Sequence, residues 1–333
     1  MSLKGAEEAA GAAQSAAGRE LVVIPGSVAN LGSGFDTLGV AVQVYLQARI
    51  VDVQHDAGSR LVVVRSEPPV RGNNAIERAF HALARRTGRT TPTVFAEVDS
   101  DIPMAAGLGS SAAATVAGLR IFERVTGPVA DSILLGTATA CEGHADNAAP
   151  ALFGGLTSVI ERDGSDPLVL RWRWPEELRL VVATPAMRLA TAKARAALAD
   201  VLPRRDAIFN LQRVLAFVHA LQHREFGMLR EAVKDRWHQP GRAALVPLLN
   251  EALELRDPDV LGAFLSGAGP SIALLVRESS ERVEQVLASL YAGAGIEVRV
   301  RTLSVHQESE AMASHLRQAY GGQAETSAQG RTV

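Results

Sequence analysis

Cysteine is almost absent from this chain of 333 residues, which contains Cys141 alone. A single thiol cannot build an intramolecular disulfide framework, and such usage fits the reducing environment of the cytoplasm. Long apolar runs are lacking as well. The runs at 178–187 and 272–276 are interrupted by Arg179 or are too short to span a membrane. We therefore expect a cytoplasmic protein that does not associate with membranes.

An excess of either charge is also missing, because 34 Lys and Arg face 36 Asp and Glu, for a net charge of −2. Without a basic footprint, nucleic acid is not an expected partner. The hydrophobic share of 47% and the charged share of 21% are ordinary for a globular protein. The length suggests two domains or one large one.

Lysine is absent between Lys4 and Lys193, which excludes a Walker phosphate loop in that part of the chain. Residues 101–119, "DIPMAAGLGSSAAATVAGL", nevertheless form a glycine loop that leads into a helical pattern at 111–125. The glycines can adopt positive φ, and Ser110 or Ser111 is a suitable N-cap. Free N–H groups at such a helix start attract anions. The alternative is a small-residue helix that packs tightly against a neighbour.

Two other motifs match this loop less well. "GLGSSA" fits the dinucleotide fingerprint, but the preceding strand at 93–101 alternates apolar and polar residues, as a half-exposed antiparallel strand does. The stretch also resembles a nucleophile elbow around Ser111, except that Ala113 replaces its second glycine. A hydrolase using Ser111 therefore remains an outside alternative.

Strands mixed with helices, without a regular βαβ rhythm, predict an α+β fold in two domains. We expect a leader at 1–19, an N-terminal domain at 20–165, a C-terminal domain at 166–320 and a tail at 321–333, with a turn near the boundary at 162–167. The expected strands lie within 21–66 and at 93–99, 178–185, 263–276 and 296–305, with a loop running into a strand at 143–161. The expected helices cover 73–87, 111–125, 129–141, 191–200, 204–222, 225–236, 243–255 and 279–293.

Four polar or glycine-rich clusters lie far apart in sequence. They are "PGSVANLGSGFDTLG" (25–39), "PMAAGLGSSAA" (103–113), "CEGHADNAAPALFGG" (141–155) and "SGAGPS" (266–271). A single glycine loop is usually a turn, but several that carry polar side chains predict a convergent site.

Together these segments, over roughly residues 20 to 305, resemble the GHMP small-molecule kinase family, with 103–113 as its ATP loop and 266–270 as its C-terminal glycine motif. Residues 28–39 and 142–156 look like those of its homoserine kinase branch, although the branch commonly has Pro where this chain has Ala145. The resemblance implies a ribosomal-protein-S5-domain-2-like N-terminal domain and a ferredoxin-like C-terminal domain with extra helices. It also implies phosphorylation of L-homoserine by ATP in threonine biosynthesis.

The resemblance further implies how ATP and Mg²⁺ would be bound. Ser111 and Glu142 would hold Mg²⁺, since Mg²⁺ needs few protein ligands. Asn74 is a candidate for hydrogen bonding to adenine, although capping the following helix is its simpler role. The residues expected to wrap the triphosphate are Pro103, Gly107, Leu108, Gly109, Ser110, Ser111, Ala112 and Ala113.

For the amino acid, the resemblance implies that Asn30 and Asp36 contact its hydroxyl and amino ends and that Arg195 and Arg242 clamp its carboxylate. Asn147 would lie nearby, and Gly267 would contact substrate or phosphate or would only form a tight hairpin. For the chemistry, Asp146 is a candidate base, and direct attack with positioning by Asn30 is the alternative. Mevalonate lacks an amino group, so a carboxylate at position 36 would have no such partner there.

Other interpretations stay open at this point. His144 is expected to be structural and to cap its loop, because a His-x-Asp pair is too little for zinc. The chain could also be a mevalonate-type or sugar kinase, or a non-catalytic ATP-binding sensor on the same fold. Intact Ser110, Ser111, Glu142 and Asp146 argue against the sensor. A homodimer is common in the family, but no residue identifies an interface.

Overall fold

The computed structural model describes residues 21–55, 58–70, 72, 74–277 and 281–307. The expected leader at 1–19 and tail at 321–333 lie outside these residues. Within the described part, the chain forms two sheets with helices, which confirms the α+β expectation. No helix among these residues is both long and apolar enough to cross a membrane.

The first sheet runs in the order β3-β4-β2-β5-β6, and β1 also pairs with β2. Its strands are β1 (Leu21–Ala29), β2 (Leu38–Gln54), β3 (Leu61–Glu67), β4 (Thr93–Ser100), β5 (Leu156–Arg162) and β6 (Ser165–Trp172). The strand before the glycine loop, β4, pairs antiparallel with the long β2, as its alternation indicates. It also pairs parallel with β3, which the alternation did not predict.

Helices α1 (Ala75–Thr87), α2 (Ser110–Thr126) and α3 (Asp131–Glu142) contact one another and belong to the core of this unit. Phe80 and Phe122 meet edge to face there, with ring centroids 5.6 Å apart. The predicted loop at 143–155 was wrong in part, because residues Ala148–Phe153 form a short helix, α4. Pro150 lies in its first turn, where proline is tolerated.

The second sheet is antiparallel throughout, in the order β10-β7-β9-β8. Its strands are β7 (Leu178–Pro185), β8 (Val260–Leu265), β9 (Ile272–Arg277) and β10 (Val298–Leu303). Between β7 and β8 lie α5 (Thr191–Ala196), α6 (Arg204–His223), α7 (Leu229–Ala232), α8 (His238–Arg242) and α9 (Leu249–Leu253), and α10 (Glu281–Gly293) precedes β10. Apart from the extra helices, this is the β-α-β-β-α-β order of ferredoxin-like folds.

The helices predicted at 225–236 and 243–255 are shorter than expected. Asp235 accepts hydrogen bonds from the backbone N–H groups of residues 237, 238 and 239, which ends one helical stretch and starts α8. In the second stretch, Pro247 cannot donate to a helical carbonyl, and Leu248 has a φ of +58°. The helix α9 therefore begins only at Leu249.

The expected turn at 162–167 is a hairpin within the first sheet, where Arg162 pairs with Ser165. The expected boundary after residue 165 falls at the start of β6, which hydrogen-bonds to β5 of that sheet. After β10 the chain returns to the first sheet, where the amide of His306 donates to the carbonyl of Ala41 at 2.9 Å. The second unit is therefore connected to the first sheet by the chain that precedes β7 and by the chain that follows β10.

Candidate active site

A cavity of about 120 Å³ lies where the glycine loop, the 30–36 turn and the second unit meet. It brings together thirteen of the residues predicted from the sequence. They are Asn30, Asp36, Gly107, Gly109, Ser110, Ser111, Ala112, Glu142, Asp146, Asn147, Arg195, Arg242 and Gly267. Ala105, Ala106, His144, Leu189, Thr191, Ala268 and Gly269 complete its lining.

Four predicted residues do not line this cavity. Leu108 and Ala113 are buried in the core of the first unit, and Pro103 precedes the loop. Asn74 caps α1, since its Oδ1 accepts the backbone N–H of Ile76 at 3.0 Å. Contact of Asn74 with adenine therefore stays a prediction. A larger groove of about 690 Å³, near Trp172 and Ser304, contains none of the predicted site residues.

The carbonyl groups of the glycine loop are bound by neighbouring segments. All four carbonyls of residues 105–108 accept hydrogen bonds from outside the loop. The donors are the amides of Leu189 (3.1 Å), Ser271 (3.2 Å) and Ser27 (3.1 Å) and the hydroxyl of Ser266 (2.6 Å). Because N–H and C=O point in opposite directions across a trans peptide, each amide of residues 106–109 points away from the donor that holds the preceding carbonyl. Successive amides that point one way form a concave site for anions.

The cap of α2 differs from the prediction. Neither Ser110 nor Ser111 is the N-cap, because Gly109 takes that position with a φ of +71°, which glycine adopts without strain. No side chain caps the helix, so its first N–H groups remain available to a ligand. A Cβ at Gly109 would lie 2.1 Å from Oγ of Ser27, and one at Gly107 would lie 2.2 Å from the carbonyl oxygen of Ser266. Both positions therefore require glycine.

The two residues predicted to hold Mg²⁺ are in contact, since the Ser111 hydroxyl donates to Oε1 of Glu142 at 3.1 Å. Thr115 donates to the same oxygen at 2.5 Å. The sequence prediction missed Thr115, although its i+4 spacing from Ser111 could have indicated a shared helix face. Within the described ranges, no three His, Cys, Asp or Glu side chains cluster as metal ligands. A hydroxyl and one carboxylate beside an anion site still suit Mg²⁺, which takes its other ligands from phosphate and water.

Asn30 lies in a turn with a φ of +72° and is 2% exposed. Its Nδ2 donates to the carbonyl of Gly267 at 2.8 Å, and its Oδ1 accepts the backbone N–H of Asp36 at 3.1 Å. These two contacts fix the orientation of the amide at the wall of the cavity. Asn30 thereby also links the turn that carries Asp36 to the C-terminal glycine motif.

Asp36 and Arg195 form a bidentate ion pair, with N···O distances of 2.7 and 2.8 Å. Their side chains are 35% and 37% exposed, so water reaches both. The hydrogen bonds that it donates to Asp36 raise the pKa of the Arg195 guanidinium. The sequence predicted that both residues contact the substrate, but it did not predict that they contact each other.

Arg242 is 2% exposed, and its guanidinium binds neutral groups. It donates to the carbonyls of Gly267 (3.0 Å) and Ala194 (3.3 Å) and to Nδ1 of His238 (3.0 Å). Burial lowers the pKa of Arg242, and the charge of Arg195 adds to this effect. Among the described residues, no carboxylate forms an ion pair with Arg242. A buried cation without a counter-ion is suited to an anionic ligand.

A chain of hydrogen bonds joins His144 to β1. His144 Nδ1 lies 2.6 Å from Oδ1 of Asp146, which also accepts from Asn147, and Asn147 in turn accepts from the hydroxyl of Ser27. The hydrogen bond to Asp146 raises the pKa of His144. This contact is consistent with the structural role expected for His144, although its ring binds the Asp146 side chain and also lines the cavity.

Comparison with known proteins agrees with this arrangement. Residues 74–155 match the GHMP kinases N terminal domain, and residues 217–293 match the GHMP kinases C terminal region. A homoserine kinase of Thermus thermophilus is 38% identical over 285 residues, which are 85% of this chain and 94% of that protein. A homoserine kinase of Persephonella marina is 34% identical over 86% of this chain and 96% of that protein.

Solved structures give the same result. The crystal structure of homoserine kinase from Cytophaga hutchinsonii superposes with a TM-score of 0.77 at 25% identity, over 87% of this chain and 96% of that one. Mevalonate kinase of L. major shares the fold, with a TM-score of 0.65 at 18% identity, over 87% of this chain and 97% of that one. The chain therefore belongs to the GHMP kinases and, within them, to the homoserine kinase family.

Proposed function

We propose that this protein transfers the γ-phosphoryl group of ATP to the hydroxyl of L-homoserine, which gives O-phospho-L-homoserine, ADP and a proton, in threonine biosynthesis. One observation carries this proposal. A single cavity is lined by the glycine loop, by the start of α2, by three carboxylates and by two guanidinium groups. Backbone amides at a helix start suit phosphate oxygens, and the charged side chains suit the ammonium and carboxylate of a small zwitterion.

On the ATP side, the amides of residues 106–109 and the first turn of α2 would bind the phosphates. This cradle needs no lysine, because oriented backbone dipoles neutralise developing charge without reorganising. Ser111 and Glu142 would hold Mg²⁺, which when bound neutralises phosphate charge. In this arrangement Thr115 would keep the carboxylate of Glu142 directed toward Ser111.

On the amino-acid side, Asp36 suits an ammonium group, and Arg195 and Arg242 suit a carboxylate. Guanidinium groups bind carboxylates through two parallel hydrogen bonds, which adds geometric selection. Arg242 supports this assignment because it is buried and lacks a carboxylate partner among the described residues. Mevalonate and sugars carry no ammonium, so they would leave Asp36 without a ligand cation.

Phosphoryl transfer depends on positioning and charge stabilisation more than on covalent chemistry. Asn30 would orient the substrate hydroxyl, since its amide is already fixed at the cavity wall. Asp146 would accept the hydroxyl proton. Its Oδ1 is held by His144 and Asn147, which leaves Oδ2 for the substrate.

The test is ADP release in a coupled assay with Mg-ATP and, separately, L-homoserine, L-threonine, L-serine, mevalonate and galactose. We expect turnover with L-homoserine to exceed that with each of the others by at least about tenfold, since each lacks a charge or the placement of the hydroxyl. Preferred turnover of mevalonate or galactose would contradict the substrate. ATP binding without turnover of any acceptor would favour a sensor.

A further inference from the structure

We infer that the Asp36–Arg195 ion pair stands in for the two charges of the substrate, so that the free site selects against ligands that carry only one of them. This inference rests on the proposed function and deepens it. It concerns how the site rejects a ligand that carries only an ammonium or only a carboxylate. Assigning Asp36 to one charge and Arg195 to the other does not explain this rejection.

The ion pair is formed by the carboxylate and guanidinium atoms that a zwitterionic ligand would contact. Both carboxylate oxygens of Asp36 are bound to Arg195, at 2.7 and 2.8 Å, so neither group is free. Both residues line the cavity, and both side chains are about one-third exposed. A ligand can therefore reach them without unfolding the site, but only by separating one from the other.

Arg242 behaves differently, although it is also a guanidinium in the same cavity. It is held by two carbonyls and a histidine, is almost fully buried and has no carboxylate partner within the described ranges. A ligand carboxylate can therefore bind Arg242 without breaking an ion pair. Arg242 is the fixed anchor, whereas Asp36 and Arg195 are an exchangeable couple.

Exchange makes recognition of the two charges interdependent. A ligand with only a carboxylate can bind Arg242, but to bind Arg195 as well it must separate Arg195 from Asp36, which leaves the Asp36 carboxylate unpaired and close to the incoming anion. A ligand with only an ammonium leaves Arg195 unpaired in the same way. A zwitterion replaces both halves of the pair at once. Selectivity thus comes from a penalty against the wrong ligand as well as from contacts with the right one.

This penalty is small, because a partly exposed ion pair is weak. When a group is already paired, the apparent affinity of a ligand for it is reduced only by the fraction of molecules in which the pair is open. We therefore expect changes of about three- to tenfold in the dissociation constants of one-charge ligands. The direction is more informative than the size. Removing one member of the pair should improve the binding of a ligand that needs the other.

The experiment is calorimetric titration of the whole chain with L-homoserine, 4-hydroxybutanoate, which lacks the ammonium, and 3-aminopropan-1-ol, which lacks the carboxylate. In Asp36→Asn we expect weaker binding of L-homoserine and about three- to tenfold tighter binding of 4-hydroxybutanoate. In Arg195→Gln we expect the mirror result, with tighter binding of 3-aminopropan-1-ol. The backbone bond from position 36 to Asn30 survives the first substitution.

Two controls separate exchange from simple loss of charge. Asp99→Asn removes the same unit of charge but frees Arg65, which does not line the cavity, and it should leave 4-hydroxybutanoate within about twofold of the wild-type affinity. In an Arg195→Gln background, Asp36→Asn should give a smaller gain for 4-hydroxybutanoate than it gives alone, because it relieves charge repulsion but releases no guanidinium at that position. Thermal melts of each variant establish that it is folded.

The inference is overturned if Asp36→Asn weakens the binding of 4-hydroxybutanoate or leaves it unchanged, or if the gain is as large without Arg195 as with it. It is also overturned if neither one-charge ligand binds any folded variant. Failure of the proposed function has a different signature, which is a wild-type enzyme that turns over an acceptor other than L-homoserine in the ADP assay.

Discussion

Arg242 donates a hydrogen bond from Nη1 to Nδ1 of His238 over 3.0 Å, and this contact fixes the protonation state of the histidine. Nε2 of the same ring lies 2.8 Å from the carbonyl of Gly32, which can only accept. Because a guanidinium can only donate, both partners require the neutral ring with its proton on Nε2. His238 thus connects the turn that carries Asp36 to Arg242.

We expect His238→Phe to raise the KM for L-homoserine about tenfold, because it removes one hydrogen bond to a charged group and leaves Arg242 less well oriented. The KM for ATP should not change. A phenyl ring at 238 keeps the stacking on Phe35, whose centroid lies 5.2 Å from the imidazole. His238→Gln, which can both donate and accept, should restore part of the loss. Steady-state kinetics with each substrate varied separates this result from general destabilisation, which would lower the concentration of active enzyme for both substrates alike.

The pH dependence of stability should carry opposite contributions from two histidines. Burial lowers the pKa of His238, so below about pH 6.5 the unfolded chain binds a proton that the native ring does not, and stability is lost. The hydrogen bond to Asp146 raises the pKa of His144, so its stabilising contribution is complete below about pH 6.5 and is lost as the pH rises through its native pKa.

Urea unfolding between pH 5.5 and 7.5 measures both contributions. The stability advantage of the wild type over His238→Gln should shrink as the pH falls, whereas its advantage over His144→Gln should grow. Two differences with the same sign would contradict the assigned environments.

Gly107 and Gly88 offer a matched test of the glycine loop. Both have positive φ, +79° and +66°, but a Cβ at Gly107 would lie 2.2 Å from the carbonyl of Ser266, whereas a Cβ at Gly88 meets nothing within 4 Å. Gly88→Ala should lower the free energy of unfolding by about 1–2 kcal/mol and leave the KM for ATP unchanged. Gly107→Ala should lower stability further and raise the KM for ATP, as chemical denaturation and kinetics would show. Equal effects at both positions would rule out a role for the close contact.

Glu142→Gln should raise the Mg²⁺ concentration needed for half-maximal activity and lower kcat by about a hundredfold, because one charged ligand is lost. Thr115→Ala is the control, since it removes a hydrogen bond to Glu142 but retains the carboxylate. It should shift the Mg²⁺ requirement much less. A Mg²⁺ titration at fixed ATP and L-homoserine distinguishes the two variants, and an unchanged Mg²⁺ requirement in Glu142→Gln would remove this residue from the proposed site.

Tyr291→Phe should stabilise the protein or leave it unchanged, within about 1 kcal/mol, because the hydroxyl is buried without a hydrogen-bond partner among the described residues. Burial raises the pKa of Tyr291 to about 12. Thr184→Val is the contrasting variant in the same unit, since the Thr184 hydroxyl pairs with that of Ser271 at 2.8 Å. It should destabilise by about 1–2 kcal/mol in urea unfolding, because Ser271 loses its partner. A marked loss of stability in Tyr291→Phe would indicate that the hydroxyl is satisfied.

Local patterns predicted most of the helices and strands because their periodicity decides which face is buried. They failed where two local rules compete. Ser110 and Ser111 are good N-caps by composition, yet the positive φ available to Gly109 ends the loop one residue earlier and leaves Ser111 free to contact Glu142. Pro247 and the carboxylate of Asp235 interrupt helical patterns that look continuous in sequence.

The members of the site could be predicted, but their pairing could not. Residues 36 and 195 are separated by 159 positions in sequence, and no periodicity relates them. The sequence indicated a carboxylate and a guanidinium for one zwitterion, whereas the structure brings these groups into contact with each other. His238 escaped prediction because its role depends on two partners, Gly32 and Arg242, that become neighbours only after folding.

The carbonyls of the glycine loop are held largely from the second unit, through Leu189, Ser266 and Ser271. The backbone of the glycine loop is thus held by residues that are translated well after the loop itself. A fragment ending after β6 would keep the glycines but lose three of the four donors that orient them. Chimeras between distant relatives would need to exchange residues 105–109 together with 266–271, because each segment fixes the backbone conformation of the other.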